Sequence, residues 1–306
     1  VSAVETVIGS TGADSLTLLG PTGATPLSLS AIESIVGSTG TDLVNMLSTG
    51  TLSVSAIETV TGSTFATDVV QYLAAGVTVA LNGVESAIGT AGGSDAVRML
   101  GTTLSVSAME SILGTSGTSD KVVMLAAGGV TVSGVESVVG SSGADVVTML
   151  AGSGANSLNV SLVETVVGTA AGDAFVFSGV VGVRVTGGGG IDTYTAGGGA
   201  DVFVFTQVTD SPATAPTPGN LADMIVGFVS GSDKLDLSAI TGGSGSLVAS
   251  LALLNSINGG DGLPHGFFDT TTKILHLDVS GTPDGLADMQ IKLNGLASLN
   301  NSDIVW

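Results

Sequence analysis

The chain has 306 residues, 47 of them glycine and only 4% aromatic, and its 26 acidic residues against six basic ones give a formal charge of −20. That balance excludes a nucleic-acid partner, because a polyanion is held by clustered Lys and Arg. The mean hydropathy is positive, yet no run of 18 apolar residues offers a membrane span. Cysteine is absent, which fits an extracellular bacterial protein without requiring one.

The first 178 residues are an internal repeat. All seven glutamates fall at one position of it: Glu5, Glu33, Glu58, Glu85, Glu110, Glu136 and Glu164, spaced by 25 to 28 residues. Glycine stands four residues after each, and aspartate nine or ten after: Asp14, Asp42, Asp68, Asp95, Asp120, Asp145 and Asp173. A period of this length indicates a solenoid of stacked coils. Apolar residues alternate with polar ones after each aspartate, as in Val44/Met46, Val97/Met99 and Val147/Met149. The same alternation precedes each later glutamate, as in Leu52/Val54 and Val130/Val132, and a short run follows it. Period two marks half-buried strands. Three strands and three corners per repeat predict an all-β, right-handed parallel β-helix of triangular section with about seven coils. Val1 falls inside a repeat, so the sequence reads as a fragment of a longer protein. The Met46, Met99, Met124 and Met149 series reads as core filling.

Stacking would turn the carboxylates into ladders, and like charges about 4.8 Å apart repel by about 1 kcal/mol even in water. The aspartates end small-residue corners such as Gly37-Ser-Thr-Gly-Thr-Asp42. Carboxylate and carbonyl oxygens together suit a hard cation such as Ca²⁺. The alternative is that each aspartate accepts hydrogen bonds from its own turn, and residue types leave the two open. The glutamates read as structural acceptors.

Farther along, Gly187-Gly-Gly-Gly-Ile-Asp192-Thr-Tyr-Thr195 fits the calcium nonapeptide G-G-x-G-x-D-x-U-x, and Ala196-Gly-Gly-Gly-Ala-Asp201-Val-Phe-Val204 departs only at its first glycine. The chain here resembles the RTX family of calcium-binding β-roll proteins. The resemblance implies calcium at Gly187, Gly189, Asp192, Gly198 and Asp201. It also implies that the Asp192 corner pairs with that of Asp173, while Asp201 lies on the opposite side. The upstream corners are similar to divergent members of the same repeat.

The block Asp223-Met-Ile-Val-Gly-Phe-Val-Ser-Gly-Ser-Asp233-Lys-Leu-Asp-Leu-Ser238 follows a Pro-rich link around Pro212 to Pro218. It resembles the C-terminal secretion domain of serralysin-type proteases, and the terminal Ser302-Asp-Ile-Val-Trp306 is similar to an uncleaved type I export signal. That resemblance adds Asp210 and Asp223 as further calcium candidates and a type I exporter as partner. The expected organisation is 1–178 β-helix, 179–205 β-roll and 206–306 cap and secretion domain.

Catalytic motifs are lacking: there is no H-E-x-x-H or G-x-S-x-G, and His265 and His276 are the only histidines. Each reads as a hydrogen-bonded structural residue, and Arg98 as a solvated face. The reading is a non-enzymatic, calcium-stabilised structural protein, secreted to the extracellular or bacterial cell surface, belonging to a surface-layer or adhesin-like protein. Self-association or cell-surface polysaccharide are its possible contacts. The alternative is the secretion and folding module of a larger exoenzyme acting on protein, lipid or polysaccharide.

Overall fold

The structure is a computed structural model that describes residues 4–65, 67–115, 119–150, 156–213, 222–249, 263–279 and 287–306. Val1 and Pro216 to Pro218 lie outside the described residues. The chain forms two compact units, Val1–Asp145 and Val146–Trp306.

In the first unit, successive strands alternate between two parallel sheets. One sheet takes, in order, Thr6–Ile8, Leu27–Ser30, Leu43–Met46, Thr59–Thr61, Thr78–Asn82, Ala96–Met99, Ser111–Leu113 and Gly129–Ser133. The other takes Ser15–Thr17, Ser34–Val36, Thr51–Ser55, Val69–Tyr72, Ser86–Ile88, Thr103–Ser107, Lys121–Met124 and Ser137–Val139. Apolar residues stack in register along the inside, so that Leu27 pairs with Val44, Val44 with Val60 and Val60 with Leu81. All four are at most 4% exposed, a burial that stabilises by about 1.5 to 3 kcal/mol per side chain.

The winding corrects the three-sided coil expected from the sequence. All three strands of each repeat form, but one turn uses only two of them, and the repeat therefore spans a turn and a half. The parallel β-solenoid expected from the sequence is the fold, with about 12 turns in all where about seven coils were expected. The interior of the first unit is filled by Val, Leu, Ile, Met, Ala and one tyrosine, Tyr72, between facing sheets that pack about 10 Å apart.

The second unit has the same two-sheet plan with bulkier filling. Phe175 stacks on Tyr194 with ring centroids 5.5 Å apart, and Tyr194 meets Phe203 edge-on at 5.5 Å. Its parallel strand Asp223–Val226 would end in an open edge, a hazard for aggregation. Met289–Asn294 covers that edge in parallel, and Ile274–Asp278 and His265–Asp269 follow antiparallel. The terminal strand Ile304–Val305 pairs with Lys234–Asp236 in the other sheet. His265 Nδ1 lies 3.2 Å from the Ser246 hydroxyl and His276 Nδ1 3.1 Å from the Gln290 amide, so both histidines are hydrogen-bonded within the cap. Arg98 is exposed, while Arg184 pairs with Asp236 at 2.8 Å. Among the described residues no helix is long and apolar enough to cross a membrane.

Candidate metal centre

A repeat of one and a half turns sends consecutive corners to opposite edges. In the first unit, one edge carries the Asp14, Glu33, Asp68, Glu85, Asp120 and Glu136 corners, and the other carries Glu5, Asp42, Glu58, Asp95, Glu110 and Asp145. Each edge cycles through an aspartate corner, a glutamate corner and a third corner that bears neither repeat carboxylate. The uninterrupted glutamate ladder expected from the spacing is therefore absent. Glutamates on one edge stand three turns apart, about 14 Å by strand spacing, beyond the screening length in physiological salt.

Five glutamates instead serve the aspartate corner one turn away. Glu33, Glu58, Glu85, Glu110 and Glu136 accept, through Oε2, the backbone N–H of Asp14, Asp42, Asp68, Asp95 and Asp120 at 2.7–2.8 Å. This is the structural role their position suggested.

The aspartates point into their own turns. The N–H of Ser10, Ser38, Ser63, Thr90, Thr115 and Ser141 donates to Oδ2 of Asp14, Asp42, Asp68, Asp95, Asp120 and Asp145 at 2.5–2.6 Å. In all but the Asp68 corner the hydroxyl of the same Ser or Thr adds a second bond at 2.7–3.0 Å. Thr169 treats Asp173 in the same way, at 2.7 and 3.0 Å. Oδ1 of Asp42, Asp95 and Asp145 accepts the N–H of Thr22, Gly76 and Gly128 in the third corner of the adjacent turn. Burial would raise the Asp95 carboxyl, but the Thr90 N–H and hydroxyl and the N–H groups of Gly76 and Val77 together hold it below the ordinary value of 3.8. The repeated glycine is fixed by this crowding: a β-carbon on Gly89 would strike the Ala108 carbonyl and meet Asp95 Oδ2. Two corners are incomplete, because Asp68 Oδ1 and Asp120 Oδ1 are buried without a hydrogen-bond partner.

The glycine-rich corners differ. Gly188 and Gly197 stand four residues before Asp192 and Asp201, where the other corners place Ser or Thr, so no hydroxyl is available. Gly188, Gly190 and Gly199 have φ of 97°, 103° and 100°, the left-handed conformation open to glycine. A β-carbon on Gly187 would collide with Asp192 Oδ2 and the Tyr194 hydroxyl.

Asp173, Asp192 and Asp223 stack on one edge. The N–H of Asp173 donates to Asp192 Oδ1 and that of Asp192 to Asp223 Oδ1, both at 2.8 Å. The Tyr194 hydroxyl lies 3.2 Å from Asp192 Oδ2 and 3.4 Å from Asp223 Oδ2. Burial, with Asp173 and Asp210 nearby, pushes the Asp192 carboxyl up to about 7. Burial, with Asp192 and Asp210 nearby, pushes Asp223 up to about 8. On the other edge Asp201 Oδ1 accepts the Val183 N–H at 2.9 Å, and Oδ2 has only the Gly197 N–H at 3.1 Å. Burial and Asp233 raise its pKa as well. Asp210 is held by the N–H and hydroxyl of Thr206 and the N–H of Gln207. Gly198 donates to the Gly179 carbonyl at 2.8 Å, and a β-carbon on Gly189 would sit 3.5 Å from the Ala170 carbonyl oxygen.

Two aspartates outside the expected set belong to this arrangement. Asp233 Oδ1 accepts the Asp201 N–H at 3.0 Å, and Asp303 Oδ1 accepts the Gly231 N–H at 2.8 Å. The Gly231-Ser-Asp233 run carries the G-x-D signal of the earlier corners. Asp303 has no such glycine.

The donor set fits a hard divalent cation. It consists of carboxylate and carbonyl oxygens, and several carboxylates are buried with fewer donors than their neighbours. Among the described residues no three His, Cys, Asp or Glu side chains converge on one point. A cation here would therefore complete its shell from corner carbonyls and water.

A family model for the C-terminal region of M10 serralysin peptidases matches residues 73–306. The chain belongs to the serralysin C-terminal family. That region is the non-catalytic RTX part of serralysins, a calcium-binding module found on secreted proteins. The match also spans the hydroxyl corners of Asp95, Asp120 and Asp145. No curated protein matches the chain.

Proposed function

We propose that the chain is a non-enzymatic, calcium-stabilised scaffold: the C-terminal part of a secreted surface-layer or adhesin-like RTX protein. The observation that carries this reading is the buried Asp192 and Asp223 pair. Burial, with neighbouring carboxylates, raises these carboxyls to about 7 and about 8, surroundings that favour a proton or a cation beside them. Bound Ca²⁺ would supply positive charge between adjacent turns. Asp173, Asp192 and Asp223 would hold it on one edge and Asp201 on the other, with the corners of Gly187, Gly189 and Gly198 leaving the room and Asp210 close by. Asp68 and Asp120, each with a free oxygen, come next. At Asp14, Asp42, Asp95 and Asp145 calcium would compete with hydrogen bonds already made.

Extracellular calcium near the millimolar range fills sites with Kd of about 10⁻⁴ to 10⁻³ M, whereas cytosolic calcium does not. The chain would accordingly stay loose until exported by a type I exporter reading its C-terminal segment. The division into 1–178 scaffold, 179–205 roll and 206–306 cap and address follows from this reading. Elemental analysis of purified protein tests it: calcium is expected to be present, and reduced in Asp192→Asn and Asp201→Asn. Equal metal content in all three would refute it. Membership of a protease-derived family favours one other reading, the folding module of a larger exoenzyme. A catalytic motif in the upstream sequence of the full protein would decide for it.

A further inference from the structure

From Asp42 to Asp145, each aspartate corner of the first unit lies against the third corner of an adjacent turn, and that neighbour decides whether the second carboxylate oxygen is satisfied. On one edge it is: Oδ1 of Asp42, Asp95 and Asp145 accepts the N–H of Thr22, Gly76 and Gly128 at 2.8, 2.9 and 3.0 Å. On the other edge it is not. Asp68 and Asp120 are 0% and 1% exposed, and Oδ1 of each has no hydrogen-bond partner. The difference follows the edge because a repeat of one and a half turns sends alternate aspartates to opposite sides.

The third corners themselves differ. Gly76 and Gly128 each close the same sequence, Leu-Ala-Ala-Gly, at 73–76 and 125–128. The corners beside Asp68 and Asp120 read Leu47-Ser-Thr-Gly50 and Leu100-Gly-Thr102. Both reach the strand that follows the aspartate, since the Val69 N–H donates to the Gly50 carbonyl at 2.9 Å and the Lys121 N–H to the Thr102 carbonyl at 2.8 Å. What they do not give is an N–H for the side chain. The Ser48 hydroxyl accepts the Ala31 N–H at 3.2 Å, which ties that corner to the Glu33 corner on its far side. Residues 100–102 form the shortest third corner of the first unit. Each place thus combines a buried, donor-free carboxylate oxygen with a corner carbonyl that keeps a second lone pair.

We propose that Asp68 and Asp120 each hold one Ca²⁺, so that one edge of the first unit binds calcium while the facing corners of Asp42, Asp95 and Asp145, closed by backbone N–H groups, take none. Carboxylate and carbonyl oxygens suit a hard cation, and a chain with 26 acidic residues against six basic ones offers few side-chain cations in its place. A water would bring hydrogen bonds but no charge. The two sites stand three turns apart, about 14 Å by strand spacing, so that ions on them are largely screened from one another. Affinity follows the number of charged ligands. With one carboxylate each, these sites are weaker than a corner where aspartates stack, and they fill after it as calcium rises. The inference rests on calcium being the ion of this protein and extends it to corners that lack the glycine motif, where the third corner selects between an ion and a backbone donor.

Calcium content of the full chain, measured by elemental analysis after equilibration in about 5 mM calcium, above the Kd range of extracellular modules, tests this. Asp68→Asn/Asp120→Asn is expected to lose two ions, and Asp42→Asn/Asp95→Asn none. Ser48→Ala/Thr49→Ala, which gives 47–50 the Leu-Ala-Ala-Gly of the donating corners, should lose one ion with Asp68 intact. Should an amide variant fold poorly, crystals of the unaltered chain soaked in Tb³⁺ report the same places. Anomalous peaks are expected beside Asp68 and Asp120 and not beside Asp42 or Asp95. Equal calcium content in the two amide variants, or crystals without a peak beside Asp68 and Asp120, would overturn the proposal; a water or a proton on these oxygens would give that result. If Asp192→Asn and Asp201→Asn keep full calcium while Asp68→Asn/Asp120→Asn loses two ions, the glycine-corner reading falls and this one stands.

Discussion

The hydroxyl corners of the first unit and the glycine corners of the second solve one problem in two ways. Both bury an aspartate at the end of a tight turn. Around Asp95 the chain supplies the donors itself: the N–H and hydroxyl of Thr90 and the N–H of Gly76 surround the carboxylate and keep it ionised. Around Asp192 glycine replaces the hydroxyl residue, and what remains is one N–H and a tyrosine hydroxyl shared with a second carboxylate. The first kind of corner is closed chemically. The second hands its charge to the surroundings.

The comparison breaks most visibly when calcium is removed. A site filled at 100 times its Kd contributes about 2.7 kcal/mol, so chelation by EGTA should lower the melting temperature sharply, and Mg²⁺ should not restore it. Undiminished stability in EGTA would place the two corners in one class.

Amide substitutions should then separate the corners by sign. Asp95→Asn replaces an acceptor oxygen with a donor in a ring of donors and is expected to destabilise by about 1 to 3 kcal/mol with or without calcium. Asp192→Asn removes a poorly solvated charge, so at pH 8 it should raise the melting temperature in EGTA and lower it in calcium. Loss in both media at Asp192 would show that its carboxylate is satisfied by the chain alone.

Titration sharpens the same contrast. In EGTA the carboxyls of Asp192 and Asp223, raised from 3.8 to about 7 and about 8, keep protons in the folded state that the unfolded chain has already released. Stability from these groups is therefore full below about pH 4 and falls as pH rises towards 8. Asp95 acts in the opposite direction, since its depressed value gives stability that is lost on acidification below pH 4. Melting curves across this range check both signs, and a flat profile between pH 4 and 8 would remove Asp192 and Asp223 from the account.

The smallest effect is expected at the glutamates. Glu110→Gln keeps an acceptor for the Asp95 N–H and should change stability by no more than about 1 kcal/mol, leaving calcium content unaltered. A lost ion in that variant would make glutamate a ligand.

Much of this was legible in the sequence. The period-two apolar residues located the strands, and the glycine spacing located the corners, because both follow from local geometry. The winding was not legible: three strands per repeat fit a three-sided coil or one and a half turns of a two-sided one. The choice lies in which strands pair from turn to turn, as Val44 does with Leu27 and Val60, a long-range property that no local pattern encodes. That choice in turn decided the glutamates, which alternate between edges and do not form a continuous ladder. Asp192, Asp201 and Asp223 were visible through their motifs, whereas Asp303, brought to Gly231 by the chain terminus, carried no local mark. The free oxygens of Asp68 and Asp120 depend on the turn beside them, which no corner motif encodes.

Hydrogen exchange followed by mass spectrometry, in calcium and in EGTA, tests the central contrast most directly. The account predicts that peptides from residues 173–236 lose protection when calcium is withdrawn, while peptides from residues 27–61 and 86–113, closed by the hydroxyl corners of Asp42 and Asp95, keep most of theirs. Equal protection of residues 173–236 in both media, or equal loss across both regions, would contradict it.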